Sequence, residues 1–141
     1  MSDTLKVCGL TIERGTKLRT YLPVPDTNVK IPLTIINGEN DGPTLLITAG
    51  IHGGEYPGIA AAMELGRDIE PEHVTGCLIM MHPVNIQGFW ARREMIVPED
   101  GKNLNRVFPG DPTGTLADKT AYLISNNFFP IADFYVDMHS G

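Results

Sequence analysis

The sequence predicts an α/β domain in which helices pack on a mixed, largely parallel sheet, and three observations lead there. Two continuous apolar runs, residues 44–49 (TLLITA) and 76–81 (GCLIMM), have the length and unbroken hydrophobicity of strands covered on both faces. A helical pattern over 59–69 lies between them, and a second helix over 116–129 leads into a third apolar stretch at 132–138. The 15 Gly and 11 Pro gather at 37–58 and 98–114 rather than in a tail, as shaped loops on a rigid scaffold require.

Taken in order, residues 6–12 and 17–22 read as two short strands around the turn Glu13-Arg14-Gly15-Thr16. Pro23 and Pro25 end that pattern. Residues 30–36 (KIPLTII) form a third strand, and Pro32 favours a sheet edge or a strand start for it. Residues 37–43 are turn chemistry of the hairpin kind. The strand at 44–49 then leads through the loop 50–58 into the helix 59–69, and 76–81 is the next buried strand. Residues 82–115 are a long irregular stretch bearing Arg and Pro. The helix 116–129 is followed by 132–138 (ADFYVDM) as a third buried strand. Residues 1–29 carry no usable motif and stand apart as N-terminal strands, in the position of a lid, an edge or an oligomer contact. Residues 30–141 hold the main domain. Gly141 follows His139 by two residues at a strand's end, as expected of the N-terminal part of a longer domain.

Composition narrows the function. The 141 residues carry 17 acidic and 11 basic side chains, a formal net charge of −6, which disfavours a broad nucleic-acid surface. No apolar run approaches the ~20 residues of a transmembrane helix, and Met1-Ser2-Asp3-Thr4 lacks a secretory signature, so a cytoplasmic location and no membrane partner are expected. Cys8 and Cys77 lie far apart in apolar stretches and read as free buried thiols. Oligomeric state is left open.

In open α/β sheets, ligands sit beyond the carboxyl ends of the strands, and the polar clusters fall there. His52 and Glu55 follow the 44–49 strand, His82 and Asn85 follow 76–81, and His139 ends 132–138. In His52-Gly53-Gly54-Glu55 a nitrogen and an oxygen ligand three residues apart can turn to one metal around two glycines. The plainer alternative is a Gly-rich turn whose Glu caps a helix. His139 completes a His, Glu, His set of the kind that binds catalytic zinc, with Asp137 on the same strand face as a supporting group. A His139 simply paired with Asp137 at the core edge is the alternative. His82 stands close enough to this edge to be a further supporting residue.

A third cluster, Asp100 to Gly110 (DGKNLNRVFPG), is preceded by Arg92 and Arg93. Arg binds a carboxylate through two parallel hydrogen bonds, and a neighbouring Asn amide can add another. The alternative is a solvated loop whose Arg side chains pair with Glu94, Glu99 and Asp100. Phe89 and Trp90 read as core.

Together GIHGGEYPG at 50–58, DGKNLNRVFPG at 100–110 and VDMHSG at 136–141 resemble the succinylglutamate desuccinylase/aspartoacylase family, a branch of the zinc carboxypeptidase clan, over residues 30–141. The resemblance implies a three-layer α/β/α, zinc carboxypeptidase-like fold, with one zinc ion bound by His52, Glu55 and His139. It implies that Asn105 and Arg106 hold a substrate carboxylate and that an upstream Arg polarises the scissile carbonyl, a role placed on Arg92 with Arg93 as its rival. The implied activity is zinc-dependent hydrolysis of an amide or ester in a small carboxylate-bearing substrate such as an N-acyl amino acid. A metallocarboxypeptidase, or a non-catalytic zinc- and carboxylate-binding fragment, is the alternative. Where many members carry Asp-Leu-Asn-Arg, this chain has Asn103-Leu104-Asn105-Arg106, so a neutral amide replaces the carboxylate thought to steady one zinc-bound His. The family's general-base Glu lies downstream of the last zinc ligand, beyond residue 141.

Overall fold

The computed structural model describes residues 3–141; Met1 and Ser2, the start of the segment read as lacking a secretory leader, lie outside the described residues. Seven strands and three α-helices follow one another as β1 (Thr4–Val7), β2 (Leu10–Glu13), β3 (Thr16–Pro23), β4 (Lys30–Asn37), β5 (Asn40–Ala49), α1 (Tyr56–Asp68), β6 (Thr75–Met81), α2 (Ile86–Ala91), α3 (Leu116–Asn127) and β7 (Phe134–Met138). Five strands form one mixed sheet in the order β3-β4-β6-β5-β7. The pairs β3–β4 and β4–β6 are antiparallel, whereas β6–β5 and β5–β7 are parallel. The carboxyl ends of β6, β5 and β7 therefore lie side by side at one edge.

Alternation along the strands builds two cores. Leu33, Ile35, Leu46, Ile79 and Met81 face α3, which buries Leu116, Ala117, Ala121 and Ile124 against them. Ile36, Ile47, Leu78 and Met80 face the opposite way, toward the side where α1 sets Ile59 and Ala62 on Ala49. The result is the three-layer α/β/α arrangement, with the sheet covered on both sides at its centre.

Several local expectations need correction. Residues 6–12 are not one strand but the hairpin of β1 and β2, because Cys8 (φ +49°) and Gly9 (φ +76°) both adopt the left-handed backbone that tight hairpin turns require. Residues 37–43 do not close a hairpin between β4 and β5, since β6 is inserted between those two strands. Pro32 is not at an edge: β4 lies between β3 and β6, and the Pro32 carbonyl accepts from His82 N–H at 3.2 Å. Its missing N–H faces the same side, just past the last residue of β6, so one ladder bond is all that is lost. The stretch 82–115 contains α2, whose N-terminus is capped by Asn85 accepting from Gly88 N–H at 2.9 Å, and a 3₁₀ turn at Leu104–Arg106. β7 stands last in the sheet among the described residues and is exposed rather than buried, with Phe134, Tyr135 and Val136 at 62%, 42% and 46%. Both cysteines are free, as expected, but half-buried rather than buried.

His82 ends β6 beneath α1, 7% exposed, with Nε2 bonded to Thr34 Oγ1 at 2.9 Å. Its Nδ1 is buried with no hydrogen-bond partner among the described residues. Protonation would place a donor on each ring nitrogen, one of them facing no acceptor, and burial accordingly holds the imidazole below its ordinary pKa. The unfolded chain then binds the proton first, so the contribution of His82 is fully present above about pH 6.5 and is lost as pH falls through the depressed folded value. Denaturant midpoints measured on both sides of that window for the native chain and His82→Gln should show a native loss at low pH that the variant lacks. Equal pH dependence in the two proteins would contradict this.

Candidate functional site

Glu55 holds the N-cap position of α1, yet its side chain makes no capping bond. It turns instead to the two histidines, so the simple helix-capping reading fails. Its Oε2 lies 2.9 Å from His52 Nδ1, and Oε1 and Oε2 lie 3.2 Å from His139 Nδ1. Ser140 N–H donates to Oε1 at 3.0 Å. One ligand atom from each of His52, Glu55 and His139 falls within 4.8 Å of the other two, and the imidazoles meet edge to face at 5.1 Å.

The outer ring nitrogens are also occupied. His52 Nε2–H donates to Asn103 Oδ1 at 2.9 Å, and that oxygen is fixed as the acceptor because Asn105 N–H donates to it as well, at 3.0 Å. His139 Nε2–H donates to Asp137 Oδ2 at 2.7 Å. Each histidine therefore turns Nδ1 toward the Glu55 carboxylate. Two bare acceptors cannot rest 2.9 Å apart without a proton or a cation between them. The donor set fits a metal ion: tetrahedral coordination at about 2.1 Å separates ligand atoms by roughly 3.4 Å, close to the 2.9 and 3.2 Å between Glu55 and the two histidines.

The electrostatics agree with this arrangement. Burial pushes the Glu55 carboxyl up, but the Ser140 amide and the two imidazoles outweigh it and hold the group below its ordinary value. Burial lowers the His139 imidazole, and the carboxylates of Asp137 and Glu55 more than reverse it.

Around this cluster the loop 100–110 is fixed by its own anchors. Asp100 accepts from Lys102 N–H at 3.0 Å and from Ala117 N–H at 2.8 Å in the first turn of α3. Lys102 pairs with Asp118, and Leu104 is wholly buried. These contacts place Asn103 on His52 and leave Asn105 and Arg106 exposed beside it. The pairing of Arg residues with Glu94, Glu99 and Asp100 does not occur: among the described residues no ion pair involves Arg92, Arg93 or Arg106. Arg92 ends α2 in the left-handed region (φ +54°), and the segment after it is tied to the metal-side turn by Gly54 N–H donating to Glu94 O at 3.3 Å. Both Arg92 and Arg93 are exposed. Trp90, read as core, is 75% exposed, while Phe89 is half-buried and lies edge to face against both Trp90 and Tyr56. His82 bonds Thr34 and makes no contact with the cluster. Thr48, which bonds both Tyr135 and Asp137, and Tyr135 itself carried no motif signal; a Thr inside the apolar run 44–49 was the sequence hint.

The fold and the site define a class, the catalytic domain of succinylglutamate desuccinylases and aspartoacylases, whose family model matches residues 41–141. This chain belongs to that family. It is 41% identical over 128 residues to the N-α-acetyl-L-2,4-diaminobutyric acid deacetylase of Halomonas elongata, covering 86% of this chain and 37% of that protein. A succinylglutamate desuccinylase/aspartoacylase from Rhodobacter sphaeroides superposes with a TM-score of 0.84 at 36% identity, over 99% of this chain and 44% of that one. The ectoine utilization protein EutE (DoeB) from Ruegeria pomeroyi, in its product-bound form, also gives 0.84 at 39% identity, over 91% and 40% of the two chains. The chain thus spans less than half the length of these relatives.

The turn between His52 and Glu55 depends on close backbone approach. A Cβ on Gly53 would lie 2.4 Å from Phe89 N, and one on Gly54 would lie 2.6 Å from Glu94 Cα. Gly53→Ala should therefore push α2 off the turn and cost about 1–3 kcal/mol, read as a lower denaturant midpoint. An unchanged midpoint would show that the turn yields without cost.

Proposed function

We propose that this chain carries the metal-binding and carboxylate-binding parts of a zinc-dependent deacylase that hydrolyses the amide bond of a small N-acyl amino acid. The observation that carries this reading is the convergence of His52 Nδ1, the Glu55 carboxylate and His139 Nδ1, each histidine steadied through its other nitrogen. The Halomonas relative, a deacetylase of an N-acetylated diamino acid, supports a substrate pairing an acyl amide with a free carboxylate.

On this reading His52, Glu55 and His139 hold the zinc ion, which when bound supplies an acidified water and a polarised carbonyl. Arg106 and Asn105 grip the substrate carboxylate, the guanidinium through two parallel hydrogen bonds. Arg92 or Arg93 stabilises negative charge developing on the carbonyl oxygen. Among the described residues no acid pairs with these guanidiniums, and Arg106 is engaged only by the neutral Asn105 carbonyl at 3.1 Å, so their charge is uncompensated toward an anionic ligand. The family pattern puts the proton-transferring Glu downstream of residue 141, so the 141-residue chain alone is expected to bind metal and carboxylate with little turnover.

Elemental analysis of the purified chain should give close to one zinc per chain, lost in His139→Ala; a folded native chain without zinc would overturn the reading. Arg106→Ala should keep its zinc but bind an N-acetyl amino acid about 10- to 100-fold more weakly by calorimetry, the loss typical of a charge-assisted contact. Unchanged binding would remove Arg106 from the carboxylate site.

A further inference from the structure

Thr48 is fully buried in β5, on the face that carries Leu46 two residues earlier. A valine would fill the same space and suit a strand equally well, so a hydroxyl there calls for a reason. Both of its hydrogen-bonding capacities are used. Thr48 lies directly opposite Asp137 across the parallel β5–β7 pair, and Leu46 lies opposite Tyr135. Thr48 Oγ1–H donates to Asp137 Oδ1 at 2.8 Å, and Thr48 Oγ1 lies 2.7 Å from Tyr135 Oη. A carboxylate only accepts, so the single hydroxyl proton of Thr48 goes to Asp137, and Tyr135 must donate to Thr48. Asp137 spends its other oxygen on His139 Nε2–H at 2.7 Å.

We propose that Thr48 and Tyr135 are positioning residues: a one-way hydroxyl relay, Tyr135 to Thr48 to Asp137, clamps the carboxylate and keeps His139 in the tautomer and pose that turn Nδ1 to Glu55. The inference rests on the metal-site reading above and extends it by two residues that touch no metal ligand directly. Every donor in the relay points the same way, so each bond strengthens the next. Tyr135 keeps its proton for this purpose, because burial pushes the phenol up to about 12. Its ring is set by contact with Phe129, centroids 4.9 Å apart. Without Thr48, Asp137 keeps one partner on one oxygen and is free to rotate about its side-chain bonds, and His139 loses its fixed acceptor.

A purely structural role, stapling β7 to β5, would alter stability and leave the histidine untouched. Two readouts separate the alternatives in Thr48→Val, Thr48→Ser and Tyr135→Phe. The first is zinc affinity by competition with a chelator. Loss of an outer partner of a metal-ligating histidine costs 10- to 100-fold, so Thr48→Val should weaken binding about tenfold. Tyr135→Phe should weaken it less, roughly threefold on the same scale, and Thr48→Ser should match the native chain. The second is the His139 Nε2–H proton resonance, whose downfield position and slow exchange report the 2.7 Å bond to Asp137. The native chain and Thr48→Ser should show this protected proton, and Thr48→Val a faster-exchanging one moved upfield. Native zinc binding with unchanged affinity and an unchanged Nε2–H proton in Thr48→Val would overturn the relay alone. A native chain that binds no zinc yet loses the protected proton in Thr48→Val would overturn the metal reading and leave the relay standing. No zinc and no change in that proton would overturn both.

Discussion

The parallel pairing of β5 with β7, in the register that sets Thr48 against Asp137, is the constraint on which the rest of the site depends. His52 and Glu55 leave the end of β5, and His139 leaves the end of β7. They meet only because these strands are neighbours running in the same direction. Side chains alternate along a strand, so a slip of one residue would carry Asp137 and His139 to the opposite face of the sheet. The apolar layers on both sides of β5 fix that strand; the Thr48–Asp137 bond, and Thr44 N–H donating to the Asp133 carboxylate at 2.8 Å, then fix β7 against it. The core and the site are in this sense one structure.

Two local rules are broken around the candidate site. Glu55 stands at a helix N-cap and declines to cap, which forgoes about 1 kcal/mol of helix stability. Arg92 occupies a left-handed backbone that a non-glycine residue enters at a cost of roughly 1–2 kcal/mol. Other local signals agree with the fold: Asn85 caps α2, Thr115 and Asp118 cap α3 reciprocally, and Asp100 uses its carboxylate on backbone N–H groups.

How much of this was legible in the sequence depends on the kind of signal involved. The runs 44–49 and 76–81 announce buried strands because burial on both faces leaves an unbroken apolar record; His52 and Glu55 stand out because they follow the first of these runs, and His139 because it ends the stretch 132–138. The insertion of β6 between β4 and β5 left no local trace, since strand order is settled by packing across the sheet; the turn chemistry at 37–43 pointed to a hairpin instead. β7 looked buried because its apolar content was visible while its place in the strand order was not. The break at Cys8-Gly9 was hidden by apolar residues on both sides of it. Thr48 and Tyr135 became meaningful only once the register placed their hydroxyls beside Asp137.

The two histidines lean on unlike partners, His139 on a carboxylate and His52 on the neutral amide of Asn103. On the proposed reading, a divalent ion adds two positive charges against the two negative ones of Glu55 and Asp137, so the filled centre carries no net charge. An aspartate at position 103 would tip that sum to negative at the opening through which an anionic ligand must pass. The amide gives a weaker hold on the ring and keeps the mouth of the site from repelling its own ligand. On the same reading the guanidiniums of Arg92, Arg93 and Arg106, exposed and without an ion pair among the described residues, would offer local positive charge to an anion that the net charge of −6 turns away at a distance.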